Sequence, residues 1–187
     1  TRSLLGRLAP RGAAIAAVLV AVSACSMNSQ VNPSEGIDYR EARFQEISAM
    51  QQYRQCRDDG VALDEQARST GNIGRYLASA RLLEKCEAEL GPETSGVAVE
   101  ERMRAYALSV QNYLKGGDVA KASQNLDTFK TSFPGQDLYY YDGSSFLETM
   151  SALLGQKEDT DFGRYTMLNV SDSLKDEMRR VRYWKKN

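Results

Sequence analysis

Any chemistry in this chain of 187 residues has to be built without histidine, of which it has none. That removes His-based nucleophile triads, His-bearing zinc sites and imidazole general bases together. Carboxylates and cysteines remain. Asp58, Asp59, Glu84, Glu87, Glu89, Glu100 and Glu101 are the acidic candidates. Glycoside cleavage would need two of them flanking a cleft, but their spacing puts most on the polar sides of helices, and no pair is marked by its context. Gly71-Asn72-Ile73-Gly74 and Gly143-Ser144-Ser145 are too short to cradle a phosphate, and no segment forms a nucleophile elbow. The expectation is therefore a protein with no catalytic residues, no metal ligands and no cofactor, which acts by binding.

The cysteines separate by position. Cys25 closes a segment in which Arg2, Arg7 and Arg11 precede a small-apolar run from Gly12 to Val22. A membrane-spanning helix needs roughly 20 apolar residues; this run is about half that and is followed at once by polar sequence, so it reads as a signal peptide. Val22-Ser23-Ala24-Cys25 resembles the lipobox of bacterial lipoproteins, an aliphatic and two small residues before an obligatory Cys. The resemblance implies cleavage before Cys25, diacylglycerol on its sulfur and acylation of the new amino group. One acyl chain holds a protein only marginally and reversibly, whereas two or three make attachment effectively permanent. Ser26 stands where Asp marks inner-membrane retention in the enterobacterial family, which implies the periplasmic leaflet of the outer membrane.

Without residues 1–24 and their three arginines, 24 basic against 25 acidic residues become 21 against 25, a net charge of −4. Such a chain has no basic character suited to nucleic acid. Residues 25–38, polar and containing Pro33 and Gly36, are expected to form a flexible tether. Residues 39–187 are enough for one domain.

Helical periodicity begins at Tyr39. Ala42, Glu46, Ala49, Tyr53, Cys56, Gly60, Leu63 and Ala67 recur at steps of four and three, with Gly60 a candidate kink. Ser69-Thr70-Gly71-Asn72 is the first turn. A second helix is expected from Ile73 to Leu90, ended by Gly91-Pro92. In an antiparallel hairpin, positions equidistant from the turn meet. Cys56 and Cys86 stand equally far on either side of Gly71, both on apolar stripes, and an oxidising compartment favours their pairing. A Cys56–Cys86 disulfide is the consequence.

Met103, Tyr106, Ala107, Val110, Tyr113 and Leu114 form the apolar face of a third helix. Gly116-Gly117-Asp118 turns the chain, with Asp118 suited to cap the next helix. Val119, Ala122, Leu126, Phe129 and Phe133 follow at helical steps up to Pro134-Gly135. The stretch from Ala105 to Pro134 resembles a tetratricopeptide repeat in Tyr113, Gly117, Ala122, Leu126, Phe129 and Pro134, although no Trp opens its first helix and Ser123 follows the small position. The resemblance implies an all-α fold of antiparallel hairpins in a short array, with a further helix expected from Asp137 to Leu154 and a C-terminal capping helix begun by Ser171 or Ser173.

Two groups stand out as candidate partner-binding residues. Tyr139, Tyr140 and Tyr141 cannot all face inward from a helix start, and exposed Tyr suits binding surfaces. Arg179, Arg180, Tyr183 and Trp184, with Arg182, Lys185 and Lys186, form a basic aromatic tail. The tail's cations suit a helix C-terminus, and Leu174, Met178, Val181 and Trp184 are expected to dock on the core. The functional expectation is a lipid-anchored periplasmic adaptor or assembly lipoprotein, resembling pilotins or accessory subunits of envelope machines. Its partners would be other envelope proteins and, through Cys25, the membrane, with no nucleic acid and no small-molecule substrate. The alternatives are a structural or peptidoglycan-associated lipoprotein and, behind it, a carboxylate-based envelope hydrolase.

Overall fold

A computed structural model describes residues 33–156 and 168–186. The signal peptide, the lipobox and Cys25 lie outside the described residues. The chain divides into two units, residues 1–40 and 41–187. Of the first, residues 33–40 are described, and they are helical.

The described residues form six helices: α1 (Pro33–Thr70), α2 (Ile73–Ala88), α3 (Val99–Lys115), α4 (Val119–Ser132), α5 (Phe146–Leu153) and α6 (Asp172–Lys186), with a 3₁₀ turn at Pro92–Thr94. They contain no strand; the only extended pairing among them is an isolated antiparallel bridge between Tyr139 and Ser145. No described helix is long and apolar enough to cross a membrane. α1 begins at Pro33 rather than Tyr39, so the segment expected as tether is helical over its last residues. Proline is favoured there because the first turn of a helix has no use for its missing N–H.

α1 and α2 form an antiparallel hairpin turning at Gly71, whose φ of +66° is a left-handed conformation that glycine adopts at no steric cost. Asn72 caps α2, its side-chain oxygen accepting the Arg75 N–H at 3.2 Å. The Cys56–Cys86 disulfide joins the helices, with the Cα atoms 5.8 Å apart. Gly60 does not break α1. It is buried against α2, and a Cβ there would lie 2.7 Å from Leu83 Cδ2. The Ser79 hydroxyl donates to the Gly60 carbonyl at 2.7 Å. Tertiary packing thus overrides the helix-propensity cost of about 1 kcal/mol for glycine.

α3 lies antiparallel to α2. At one end of their interface the Asn112 amide donates to Ser79 Oγ at 3.1 Å, and at the other Arg102 grips the Glu87 carboxylate at 2.5 Å. Both of those side chains are nearly buried, and Arg102 also donates to the Thr94 carbonyl, which fastens the loop between the helices. α4 folds back on α3 through Gly117 (φ +80°), capped as expected by Asp118, whose carboxylate accepts the Lys121 N–H at 3.1 Å. Tyr113 packs between two fully buried alanines, Ala80 of α2 and Ala122 of α4. The largest core unites Met103, Tyr106, Val110, Leu126, Phe129, Phe133, Phe146 and Met150 from α3, α4 and α5.

The helix expected from Asp137 is shorter than its apolar content suggested and begins at Phe146. Residues 137–145 form a turn instead. Asp137 holds it by accepting the backbone N–H groups of Leu138 and Leu147 and the hydroxyl of Ser145. Gly143 is left-handed at φ +79°, and Ser145 caps α5 by accepting the Glu148 N–H at 3.0 Å. Ser145-Phe146-Leu147-Glu148 is a capping-box sequence that marks this start.

Candidate functional site

The turn before α5 changes the setting of the three tyrosines. They follow one another in an extended segment rather than on a helix, so successive side chains alternate sides. Tyr139 (67 % exposed) and Tyr141 (fully exposed) point to solvent, whereas Tyr140 is half-buried against the main core. Gln111 of α3 donates to the Tyr140 hydroxyl at 3.2 Å. Burial raises the Tyr140 phenol above its ordinary pKa. Tyr140 therefore fastens the segment to the domain, and Tyr139 and Tyr141 are left available for contacts.

Between this segment and α3 lies an open cleft of about 570 Å³. Behind it lie Met103 and Ala107 of α3 and Phe146 of α5, which belong to the main core and are nearly buried, and half-buried Leu138 of the turn. Gln111, Gln136 and Asp137 add polar groups, Tyr139 stands at the rim, and the Glu100–Arg104 ion pair, 2.7 Å long and well exposed, lies at one end. A concave surface of mixed polar and apolar lining can take side chains of a ligand or partner. The backbone of the segment is fixed from its inner side: Tyr140 N–H donates to the Ser144 carbonyl at 2.9 Å, and Phe146 N–H donates to the Leu138 carbonyl at 2.8 Å.

Three of the carboxylates singled out as possible acids and bases, Glu84, Glu87 and Glu101, hold helices together. Glu84 accepts the Tyr113 hydroxyl at 2.5 Å, and burial is the main reason that phenol's pKa rises. Glu87 is bound by Arg102 and Glu89 lies 3.5 Å from Lys85. Asp58 pairs with its neighbour Arg57, and Asp59 is exposed. Glu101 receives both Arg54 and Arg57 of α1, and hydrogen bonding from Arg54 holds its carboxyl below the usual range. Among the described residues no group of three or more Cys, Asp or Glu side chains is arranged to hold a metal ion.

The C-terminal candidates lie on another element. Leu174 and Met178 of α6 dock as expected, packing with Ala152, Leu168 and Val170. Val181 and Trp184 do not dock: they are 38 % and 71 % exposed. At 3.6 residues per turn, Trp184 is rotated about 80° from Leu174, which carries it off the buried stripe. Arg179 pairs with Asp176 and Arg180 with Glu177, both pairs exposed and within α6. Tyr183 and Trp184 meet edge to face with ring centres 5.5 Å apart.

No family model, curated protein or solved structure matches the chain.

Proposed function

We propose that this chain is a lipid-anchored adaptor of the bacterial envelope that holds a segment of a partner protein in the cleft beside α3. The observation carrying the reading is the cleft itself, of mixed polar and apolar lining with exposed Tyr139 beside it. Its size suits a few side chains of an extended segment. The anchor and compartment rest on the lipobox sequence around Cys25, and the disulfide is in keeping with an oxidising location.

The array is tetratricopeptide-like in this reading. The features in its favour are the antiparallel α3–α4 hairpin, its Gly-Asp turn, and Tyr113 seated between Ala80 and Ala122. The large-against-small packing of that repeat has the same form. The length of α1 and the shortness of α5 depart from a regular repeat.

Photo-crosslinking in intact cells tests this function. A crosslinker replacing Tyr139 should yield one discrete protein adduct, lost when Gln136→Trp, an exposed position in the lining, fills the cleft. A crosslinker at Thr128, exposed on α4, should not yield that adduct. Equal labelling from both positions, or an adduct indifferent to Gln136→Trp, overturns the cleft as the partner site.

A further inference from the structure

The end of α6 is independent of the cleft and has a chemistry of its own. From Met178 onward the helix contains Arg179, Arg180, Arg182, Lys185 and Lys186 and no acidic residue, in a chain that is acidic overall. Arg179 and Arg180 stand one turn before Tyr183 and Trp184, so each aromatic residue shares a face with a cation. Trp184 is 71 % exposed and Val181 38 %. The apolar anchor of the helix lies entirely in its first half, at Leu174 and Met178. The Arg179–Asp176 and Arg180–Glu177 pairs are exposed, and such pairs contribute little and open readily to a competing anion.

We infer that the basic aromatic end of α6 docks on an anionic phospholipid surface, with Trp184 in the headgroup region. Charge complementarity selects this occupant. Clustered Arg and Lys are drawn to the negative potential of anionic lipids and lose that attraction within a Debye length. Indole and phenol rings, apolar in body and polar at the tip, settle at the membrane–water interface. A second contact of this kind would add to an acyl anchor by fixing which side of the domain faces the bilayer.

Trp184 is the sole tryptophan of the chain, so its fluorescence reports on this helix end alone, whatever else holds the protein to a vesicle. The full chain carrying Cys25→Ala, which cannot be acylated there, is titrated with vesicles of phosphatidylcholine mixed with phosphatidylglycerol and with vesicles of phosphatidylcholine alone. The expected result is a blue shift of Trp184 emission, and quenching by headgroup-level nitroxide lipids, with the anionic vesicles only. The shift should be reversed by high salt. The combined Arg179→Gln, Arg180→Gln and Arg182→Gln variant should need roughly a hundredfold more lipid for the same shift, from three cations near the surface. Its thermal midpoint should match that of the parent chain. Unchanged Trp184 emission on vesicles that sediment the protein overturns the inference, as does an equal shift with neutral vesicles. A shift produced by concentrating the protein without vesicles also overturns it and assigns the surface to a second copy of the chain. Tyr139→Ala should leave the shift intact, which separates this surface from the cleft.

Discussion

The α1–α2 hairpin and the α3–α4 hairpin turn in the same way, through a left-handed glycine followed by a capping Asn72 or Asp118, but different materials join their helices. Between α3, α4 and α5 lies an aromatic core in which Tyr106 of α3 meets Phe133 at 6.4 Å between ring centres and Phe129 meets Phe133 and Phe146 at 5.1 Å. Between α1 and its neighbours the buried apolar set is small: Met50, Tyr53, Leu83, Cys86 and Ala105 in one cluster, with Ala67 near the turn. There the disulfide, the Ser79–Gly60 hydrogen bond and the hold of Arg54 and Arg57 on Glu101 supplement the burial. Where a long helix is too polar to be held by burial, cross-links and charge take over.

The contrast is broken most strongly from the aromatic side. Phe129 is fully buried, and Phe129→Ala should destabilise the domain by about 3–5 kcal/mol through lost transfer energy and the cavity left behind. Chemical denaturation measures it. Because neither cysteine of the disulfide belongs to the core that holds Phe129, the loss should be nearly the same with and without reductant. A loss that doubled on reduction would mean the two hairpins share one core.

The disulfide comes next. Cys56 and Cys86 are 30 residues apart, and closing a loop of that length stabilises the folded state by about 3–4 kcal/mol in the chain-entropy account. Reduction should lower the thermal midpoint and raise hydrogen exchange in α1 and α2 well before α4. Uniform loosening of all four helices would show that the α1–α2 hairpin is not a separate weak unit.

These features differed in how plainly the sequence announced them. The Cys56–Cys86 bond was legible because a hairpin turns sequence symmetry about Gly71 into proximity. The α3–α4 hairpin was legible because its period, turn and cap all agree. Gly60 misled, since propensity knows nothing of the Leu83 side chain that occupies the space of its missing Cβ. Apolar content alone places the tyrosine segment on a helix, whereas Asp137, Gly143 and the Ser145–Glu148 capping box are the turn chemistry that prevails there. The cleft was not legible at all: it exists only because that turn stands away from α3. Trp184 was assigned to the core by a step of three that carries it off the stripe.

Charge makes the smallest contribution to the contrast and gives it a pH dependence. Glu101 is the one acid of α3 that takes two arginines from α1, and the hydrogen bond from Arg54 lowers its pKa. A carboxyl with a lowered folded-state pKa adds stability that is fully present above the ordinary glutamate range and is lost as pH falls through the lowered value. Arg54 is half exposed, so solvent screening keeps the gain to about 0.2–1 kcal/mol. Glu101→Gln should therefore cost that amount at neutral pH and progressively less in acid, as pH falls through the lowered pKa and the parent carboxyl takes up its proton. Paired denaturation curves of parent and variant at neutral and acid pH measure the difference. High salt should shrink it at neutral pH while leaving the Phe129→Ala loss untouched. A Glu101→Gln cost that persists unchanged in acid would mean that the side chain holds α1 by packing, and the division between a burial-held and a charge-assisted hairpin would fall.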